Sequence, residues 1–316
     1  MNHMFTAITK GRLVAGLVAV SAVVALAGCA SSDPLGTTST SGAGSSDGAS
    51  GPIVIGSQAY YSNEIIAEIY AQALEANDIE VTRQFNIGQR DAYLPALESG
   101  EVQLFPEYSG NLLQYYDPET TAKTSDDVYA ALAGALPAGL EVLDQSPATD
   151  QDSYNVTKEF SEANGVTSLE DLSKVTTPIT LGGNSELQTR PYGPEGLKTT
   201  YGVTVGFTPI EDSGGPLTIQ ALKDNTVQMV NIYSADPNIK TSGLVTLEDP
   251  KGLFLASNVV PLINTDAATP EVTEVINKVS AALTAEDLVD LNSQSVNDQD
   301  SAENIAKNWL EKVALF

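Results

Sequence analysis

The sequence predicts an α/β fold, because strand and helix patterns alternate along the chain and the alternation occurs twice. Residues 53–105 have the order strand, helix, strand, helix, strand, which favours a parallel sheet covered by helices on both faces. A second series of the same kind begins after the stretch 150–154. The roughly 265 residues from Pro52 onward are enough for one large domain or for two lobes with separate cores.

The first series opens with the apolar strand 53–56. Ser62 is a candidate N-cap for the next helix, which has apolar residues at helical spacing up to Leu74. The later elements of this series are predicted as strand 81–85, helix 92–98, strand 102–105, helix 125–136 and strand 140–143.

The second series has the same kind of alternation but no detectable sequence repeat of the first. Its predicted elements are helix 169–172, strand 179–181, helix 193–201, strand 206–207, helix 217–222 and strand 227–232. Residues 254–263 are predicted to be extended, and two amphipathic helices, 270–283 and 301–313, complete the chain.

The N-terminus has the pattern of a secretory signal peptide over residues 1–28. Lys10 and Arg12 precede an apolar run over 13–27, which is short for a transmembrane helix. The run ends in Leu-Ala-Gly-Cys and resembles a bacterial lipoprotein lipobox, so Cys29 is expected to be the lipidated first residue of the mature chain. The alternative is a lone cysteine in an uncleaved anchor.

Residues 29–51 combine this cysteine with a Ser-, Gly- and Thr-rich stretch, which predicts a flexible tether. His3 is the only histidine and Cys29 the only cysteine, so the mature globular part has neither. Catalysis by a Ser-His or Cys-His pair, the usual zinc and copper sites and a disulfide are therefore excluded. We expect no metal and no cofactor; the absence of enzymatic activity is implied by the family resemblance described below.

The charge of the chain is strongly negative, at −26. The signal peptide contains two cationic and no acidic residues, so its removal changes the charge to −28. Such a surface repels nucleic acid and anionic lipid headgroups, which leaves cations, zwitterions or neutral solutes as partners. An acidic surface also serves solubility alone, so charge does not choose among them.

A candidate binding loop occupies residues 104–111, where an apolar strand ends and a helix begins. Open α/β sheets bind ligands outside the carboxyl ends of their strands. Tyr108 can present a ring face there, Gly110 permits close approach of the backbone, and Asn111 offers a donor. These residues alone are equally compatible with an ordinary turn whose tyrosine packs on the core.

Several short motifs in a fixed order resemble one protein family. They are Gly56-Ser57, Tyr70-Ala71-Gln72, Pro106-Glu107-Tyr108-Ser109-Gly110, Arg190 with Gly196-Leu197 and Tyr201-Gly202, Ala221-Leu222-Lys223, Tyr233-Ser234-Ala235-Asp236 and Leu247-Glu248-Asp249. Together they resemble the substrate-binding lipoproteins of ABC importers for glycine betaine, choline and related osmoprotectants, the ProX/OpuC type. The resemblance extends from Ile53 to the C-terminus.

The resemblance implies a two-lobed periplasmic-binding-protein fold of type II with a hinge between the lobes. Lobe 1 would comprise residues 52–151 plus 258–316, and lobe 2 residues 152–257. It also implies a monomer held by its lipid on the extracytoplasmic face of the cell membrane, which delivers its ligand to the permease subunits of an ABC importer. A quaternary amine such as glycine betaine, choline or carnitine would be the ligand.

The resemblance also assigns ligand-binding residues. Tyr108, Tyr154 and Tyr233 would box the quaternary ammonium, since aromatic faces attract a cation that has no N–H to donate. Arg190 would bind the ligand's carboxylate with its planar guanidinium. Asn111 matches a threonine that helps to bind this carboxylate.

Two departures from the family pattern affect both ends of the ligand. Gln58 replaces a lysine, and a fourth cage tyrosine falls at Ser257, beside Asn258. Either Tyr60 or Tyr61 could supply the missing wall; we place Tyr61 in the predicted site with Asn258. Asp152 matches a position whose backbone carbonyl faces the ammonium.

Other functions remain compatible with the sequence. Another small zwitterionic or cationic solute could be the ligand, and a secreted hydrolase that uses two carboxylates needs no histidine. A structural or adhesive lipoprotein with a vestigial cleft is a third class.

Overall fold

Two five-stranded sheets with flanking helices form the framework of residues 51–316, which are the residues that the computed structural model describes. The predicted signal peptide (1–28), the lipidation of Cys29 and the tether up to residue 50 lie outside the described residues. Within the described part, no helix has the length and apolar character needed to cross a membrane.

The first sheet has the strand order β2-β1-β3-β10-β4. β1 pairs in parallel with β2 and β3, whereas β10 pairs antiparallel with β3 and β4. Its strands are β1 (Ile53–Gly56), β2 (Val81–Gln84), β3 (Leu104–Tyr108), β4 (Leu140–Val142) and β10 (Val259–Asn264).

The second sheet has the order β7-β6-β8-β5-β9. β6 pairs in parallel with β7 and β8, whereas β5 pairs antiparallel with β8 and β9. Its strands are β5 (Asp152–Thr157), β6 (Thr180–Gly183), β7 (Gly206–Pro209), β8 (Met229–Tyr233) and β9 (Leu244–Thr246).

In each sheet four strands point the same way and one strand, β10 or β5, points the other way. Each reversed strand is the first one after the chain has passed from the other sheet. The predicted fold class, two mostly parallel sheets with flanking helices, is confirmed.

The helices occupy most of the chain between the strands. They are α1 (Tyr61–Glu75), α2 (Arg90–Glu98), α3 (Ser109–Tyr116), α4 (Ser125–Ala135), α5 (Lys158–Asn164), α6 (Pro194–Tyr201), α7 (Pro216–Lys223), α8 (Asn238–Thr241), α9 (Pro270–Ala282), α10 (Ala285–Asn297) and α11 (Ala302–Val313), with 3₁₀ turns at Leu169–Lys174 and Ser185–Thr189.

The sequence prediction differs from the structure at the start of α1, and it lacks β5, α5, α8, β9 and α10. Tyr60, not Ser62, is at the N-cap of α1, and the Ser62 hydroxyl instead donates to the buried Asp150 carboxylate at 3.4 Å. The missed helix α10 begins with a capping box formed by Thr284 and Asp287. The predicted helices 270–283 and 301–313 are present as α9 and α11.

The first sheet has a core on each face, because side chains alternate along its strands. Leu104 packs in a cluster with residues of α1, α9, α10 and α11, and the adjacent Phe105 packs in another cluster with residues of α2, α3 and α4. The chain passes between the sheets in the segments 143–151 and 247–258, and Thr149 and Asn258 form a β-bridge between these segments.

Candidate functional site

A small, partly enclosed cavity lies where loops of the two sheets meet. Residues from the sides of both sheets line it, together with Asp150 of the connecting segment 143–151. They are Tyr60, Arg90, Tyr108, Asn111, Asp150, Glu186, Tyr192 and Tyr233. Four of the eight are tyrosines, so ring faces form much of the wall.

One half of the cavity, which we call the aromatic half, consists of Tyr60, Tyr108, Tyr233 and Asp150. Tyr108 and Tyr233 are the last residues of β3 and β8, and Tyr60 immediately precedes α1. The Tyr60 and Tyr233 rings lie 4.9 Å apart between centroids. Burial raises the pKa of all three phenols well above the usual range, so each hydroxyl stays neutral.

Asp150 gives the aromatic half a buried carboxylate that is only 2% exposed. It accepts hydrogen bonds from the Tyr60 hydroxyl and the Ala235 backbone N–H, both at 2.9 Å, and from the Ser62 hydroxyl at 3.4 Å. Burial raises the pKa of this carboxyl to about 7, although the bonds from Ala235 and Tyr60 act in the opposite direction. The carboxylate therefore changes charge near neutral pH.

The other half, which we call the polar half, consists of Arg90, Asn111, Glu186 and Tyr192. Arg90 donates from Nε and Nη2 to the two carboxylate oxygens of Glu107, each at 2.8 Å. Glu107 is fully buried and Arg90 nearly so. A bidentate pair of this kind fixes the guanidinium in one orientation.

Asn111 connects the two sheets across the polar half. Its Nδ2 donates to the Asp152 carboxylate at 2.5 Å and to the Tyr192 hydroxyl at 3.0 Å, and both residues belong to the second sheet's side of the cavity. Its Oδ1 accepts from the Ser257 hydroxyl at 2.7 Å. The amide is therefore held by two groups on the second sheet's side and by Ser257 of the connecting segment 247–258.

Three of the predicted site residues line the cavity, namely Tyr108, Tyr233 and Asn111. Tyr154 lies behind the wall: its hydroxyl donates to the Tyr192 backbone carbonyl at 2.5 Å, and its ring packs edge-on against Phe254. Tyr192 thus forms the wall that the resemblance had assigned to Tyr154. Asp152 also lies behind the lining, where its Oδ1 accepts from Asn231 at 2.9 Å.

Arg190 lies outside the cavity, on the neighbouring surface. It forms ion pairs with Glu186 and, at 3.7 Å, with Asp91, and its guanidinium stacks 5.5 Å from the centroid of the Tyr115 ring. Its partner Glu186 lines the cavity, so Arg190 affects the site through this carboxylate.

The remaining predicted residues support the site from a distance. Gln58 is buried and donates from Nε2 to the Tyr93 hydroxyl at 3.4 Å. Tyr61 donates to Asp236 at 2.8 Å, so Tyr60, rather than Tyr61, faces the cavity. Asn258 donates to the Ser146 carbonyl at 2.9 Å and accepts from the Ser125 hydroxyl at 2.7 Å.

Sequence reasoning did not assign four residues of the lining to the site. They are Arg90, Asp150, Glu186 and Tyr192. Asp150 precedes the predicted Asp152 by two positions, and Tyr192 and Glu186 flank the predicted Arg190, so proximity to motif residues was an available signal. Arg90 offered no such signal, because its partner Glu107 is distant in sequence.

Comparison with known proteins identifies relatives over nearly all described residues. A family model described as the substrate-binding domain of ABC-type glycine betaine transport systems matches residues 51–312. The glycine betaine-binding protein YehZ of Escherichia coli is 23% identical over 278 residues, which cover 84% of this chain and 91% of that protein.

Two further relatives extend the comparison. The ergothioneine transport permease/ergothioneine binding protein EgtU of Helicobacter pylori is 24% identical over 276 residues, which cover 84% of this chain and 48% of that protein. A crystal structure described as a glycine betaine/carnitine/choline ABC transporter superposes with a TM-score of 0.67 at 22% identity and covers 83% of this chain and 99% of that one. At this identity the superposition supports the fold alone.

Proposed function

Because the chain belongs to the family of substrate-binding domains of ABC-type glycine betaine transport systems, we propose that it captures a small quaternary amine in the cavity described above. Glycine betaine, choline and carnitine are the candidate ligands, in keeping with what its relatives are named for. The protein would release the ligand unchanged to the permease subunits of an ABC importer. No chemical step is part of this function.

The observation that carries the proposal is the aromatic half of the cavity. Tyr60, Tyr108 and Tyr233 approach from three separate segments and surround one small space. A quaternary ammonium presents methyl groups and a diffuse positive charge, and each well-placed ring face contributes about 0.5–2 kcal/mol to its binding. A polar ligand without such a group would leave these faces without a partner.

The contacts across the cavity support closure of two lobes around the ligand. Asn111 bonds to Asp152 and Tyr192, and Tyr61 bonds to Asp236 of the other sheet's side. We place the lobe boundaries at residues 152 and 258, where β5 begins and just before β10 begins, with the two connecting segments as the hinge. A ligand that touches both sides would stabilise the closed arrangement.

We also propose an extracytoplasmic location with a lipid anchor at Cys29, based on the lipobox-like N-terminus and on the family. Stable anchoring requires more than one acyl chain. In cells, the Cys29→Ala protein should leave the membrane fraction, and fully membrane-bound Cys29→Ala protein would contradict the anchor.

A ligand screen tests the proposed function directly. The purified protein is heated with glycine betaine, choline, carnitine, ergothioneine or common amino acids, and the midpoint of unfolding is measured. A ligand at about 100 times its dissociation constant adds about 2.7 kcal/mol of stability. Calorimetry of the hits should give one site per chain with intact ligand recovered; a consumed ligand would indicate an enzyme instead.

A further inference from the structure

The charges around the cavity do not cancel. Two ion pairs, Arg90 with Glu107 and Arg190 with Glu186, are each neutral as a pair. Among the lining residues, this leaves the Asp150 carboxylate without a cationic partner within the described part of the chain. When Asp150 is ionised, these five groups therefore carry a net charge of −1.

Asp150 accepts three hydrogen bonds, and all of its donors are neutral. They are the hydroxyls of Tyr60 and Ser62 and the backbone N–H of Ala235. A quaternary ammonium has no N–H, so it needs no free acceptor from Asp150 and interacts with its charge only. A buried carboxylate of this kind lacks only a nearby positive charge.

We propose that the cavity selects monocationic quaternary amines such as choline over zwitterionic ones such as glycine betaine, and that Asp150 is the specificity-determining counter-ion. This inference rests on the proposed function, since it assigns a ligand class to the same cavity. It concerns the total charge of the ligand, not the recognition of its ammonium group.

A monocation brings the charge of these five groups to zero, whereas a zwitterion leaves it at −1; the neighbouring Asp152 and Asp236 carboxyls add no positive charge. The carboxylate of a zwitterion would also enter the polar half, where the Glu186 carboxylate lines the cavity. Arg90 is the cation of that half, and its Nε and Nη2 already donate to Glu107. The polar half therefore suits a hydroxyl better than a second carboxylate.

The titration of Asp150 provides an independent readout. Burial raises its pKa to about 7, and the groups that face it are Tyr60, Tyr61, Tyr108, Asp152 and Asp236. All five are phenols or carboxyls, which are neutral or negative, so none supplies positive charge; burial raises the pKa of each and favours its neutral form. A bound cation favours the ionised carboxylate, so choline affinity should rise about tenfold between pH 6 and pH 8, as the ionised fraction does.

The test is isothermal titration of the purified protein with choline and with glycine betaine at pH 6 and pH 8. We expect choline to bind at least tenfold more tightly than betaine at pH 8. In Asp150→Asn this preference should fall to about threefold or less, and the pH dependence of choline binding should disappear. Asp266→Asn is the matched control, because Asp266 is exposed in the turn after β10, and it should keep the wild-type preference.

Two results would overturn the inference while the proposed function stands. One is betaine binding as tight as choline binding in the wild-type protein at pH 8, and the other is a choline affinity that does not change with pH. Failure of both ligands to bind would overturn the proposed function itself. If Asp150→Asn does not fold, the pH series on the wild type and the Glu186→Gln variant test the inference instead. Glu186→Gln should increase the affinity for betaine several-fold without increasing the affinity for choline.

Discussion

The two halves of the cavity differ in whether their charged groups have oppositely charged partners. In the polar half, each charged lining group has an oppositely charged partner, Glu107 for Arg90 and Arg190 for Glu186. In the aromatic half, Asp150 has hydrogen-bond donors but no counter-ion among the described residues. The charges of the polar half are therefore balanced without ligand, whereas the charge of the aromatic half is balanced only when a cation binds.

The largest effect, a loss of stability, should come from removing one partner of the buried ion pair in the polar half. Glu107→Gln leaves the buried Arg90 guanidinium without its counter-charge, and removal of one partner of a buried pair costs about 3–5 kcal/mol of stability. Denaturant unfolding measures this loss. Glu119→Gln, at an exposed position, is the control and should stay within about 0.5 kcal/mol of wild type; an equally small effect at Glu107 would show that the pair contributes little.

The aromatic half predicts a pH dependence of stability with a definite sign. Asp150 has a pKa of about 7 in the folded chain, above the usual carboxyl value, so the folded state holds this proton more tightly than the unfolded state. Its contribution to the free energy of unfolding should decrease as pH rises from about 4 to about 7, and level off above that. Compared with Asp150→Asn, the wild type should lose stability over this interval in denaturant titrations at several pH values. A constant difference between the two proteins would show that Asp150 is ionised throughout.

The ring faces of the aromatic half predict an intermediate effect on affinity. Tyr233→Ala removes one wall and should weaken ligand binding about two- to thirtyfold, the equivalent of about 0.5–2 kcal/mol. Tyr233→Phe keeps the ring face and should change affinity little. Calorimetry of both variants tests this. If Tyr233→Ala binds the ligand within a factor of two of the wild-type affinity, Tyr233 is not a binding wall of the aromatic half.

The smallest effect is expected at Arg190. Its side chain contacts Glu186, Asp91 and the Tyr115 ring rather than the cavity. Arg190→Gln leaves Glu186 uncompensated, so betaine affinity should fall about two- to fivefold while choline affinity stays level or rises slightly. Loss of all betaine binding would instead mean that Arg190 holds the ligand carboxylate directly, as the family resemblance implies.

Local sequence patterns predicted the part of the cavity lining that lies at strand ends. Tyr108 and Asn111 follow an apolar strand and precede a helix, and Tyr233 ends another strand, so their positions follow from alternation and family order. The ion pairs could not be predicted in this way, because Arg90 and Glu107 meet only when α2 and β3 pack together. The carboxylate of Asp150 is held by the backbone N–H of Ala235, which is 85 positions away in the sequence.

The errors in the fold have similar causes. Helix α10 was missed because only Leu288, Leu291 and Asn292 are buried along its 13 residues, which leaves a weak apolar pattern. Tyr154 and Tyr192 are both buried tyrosines near Phe254, and only tertiary packing determines which of them faces the cavity. Sequence motifs predicted the presence of aromatic walls better than they predicted which rings form them.

The shared strand order of the two sheets has a consequence for how the cavity is built. When the sheets are matched strand by strand, β3 of the first corresponds to β8 of the second, and Tyr108 and Tyr233 end these equivalent strands. β1 and β6 also correspond, and both end in glycine. The walls formed by Tyr108 and Tyr233 are thus pseudo-symmetric, since each sheet contributes a tyrosine from the same topological position. A tetrahedral trimethylammonium, which presents similar methyl faces in several directions, has the shape that such a pair of equivalent walls can enclose.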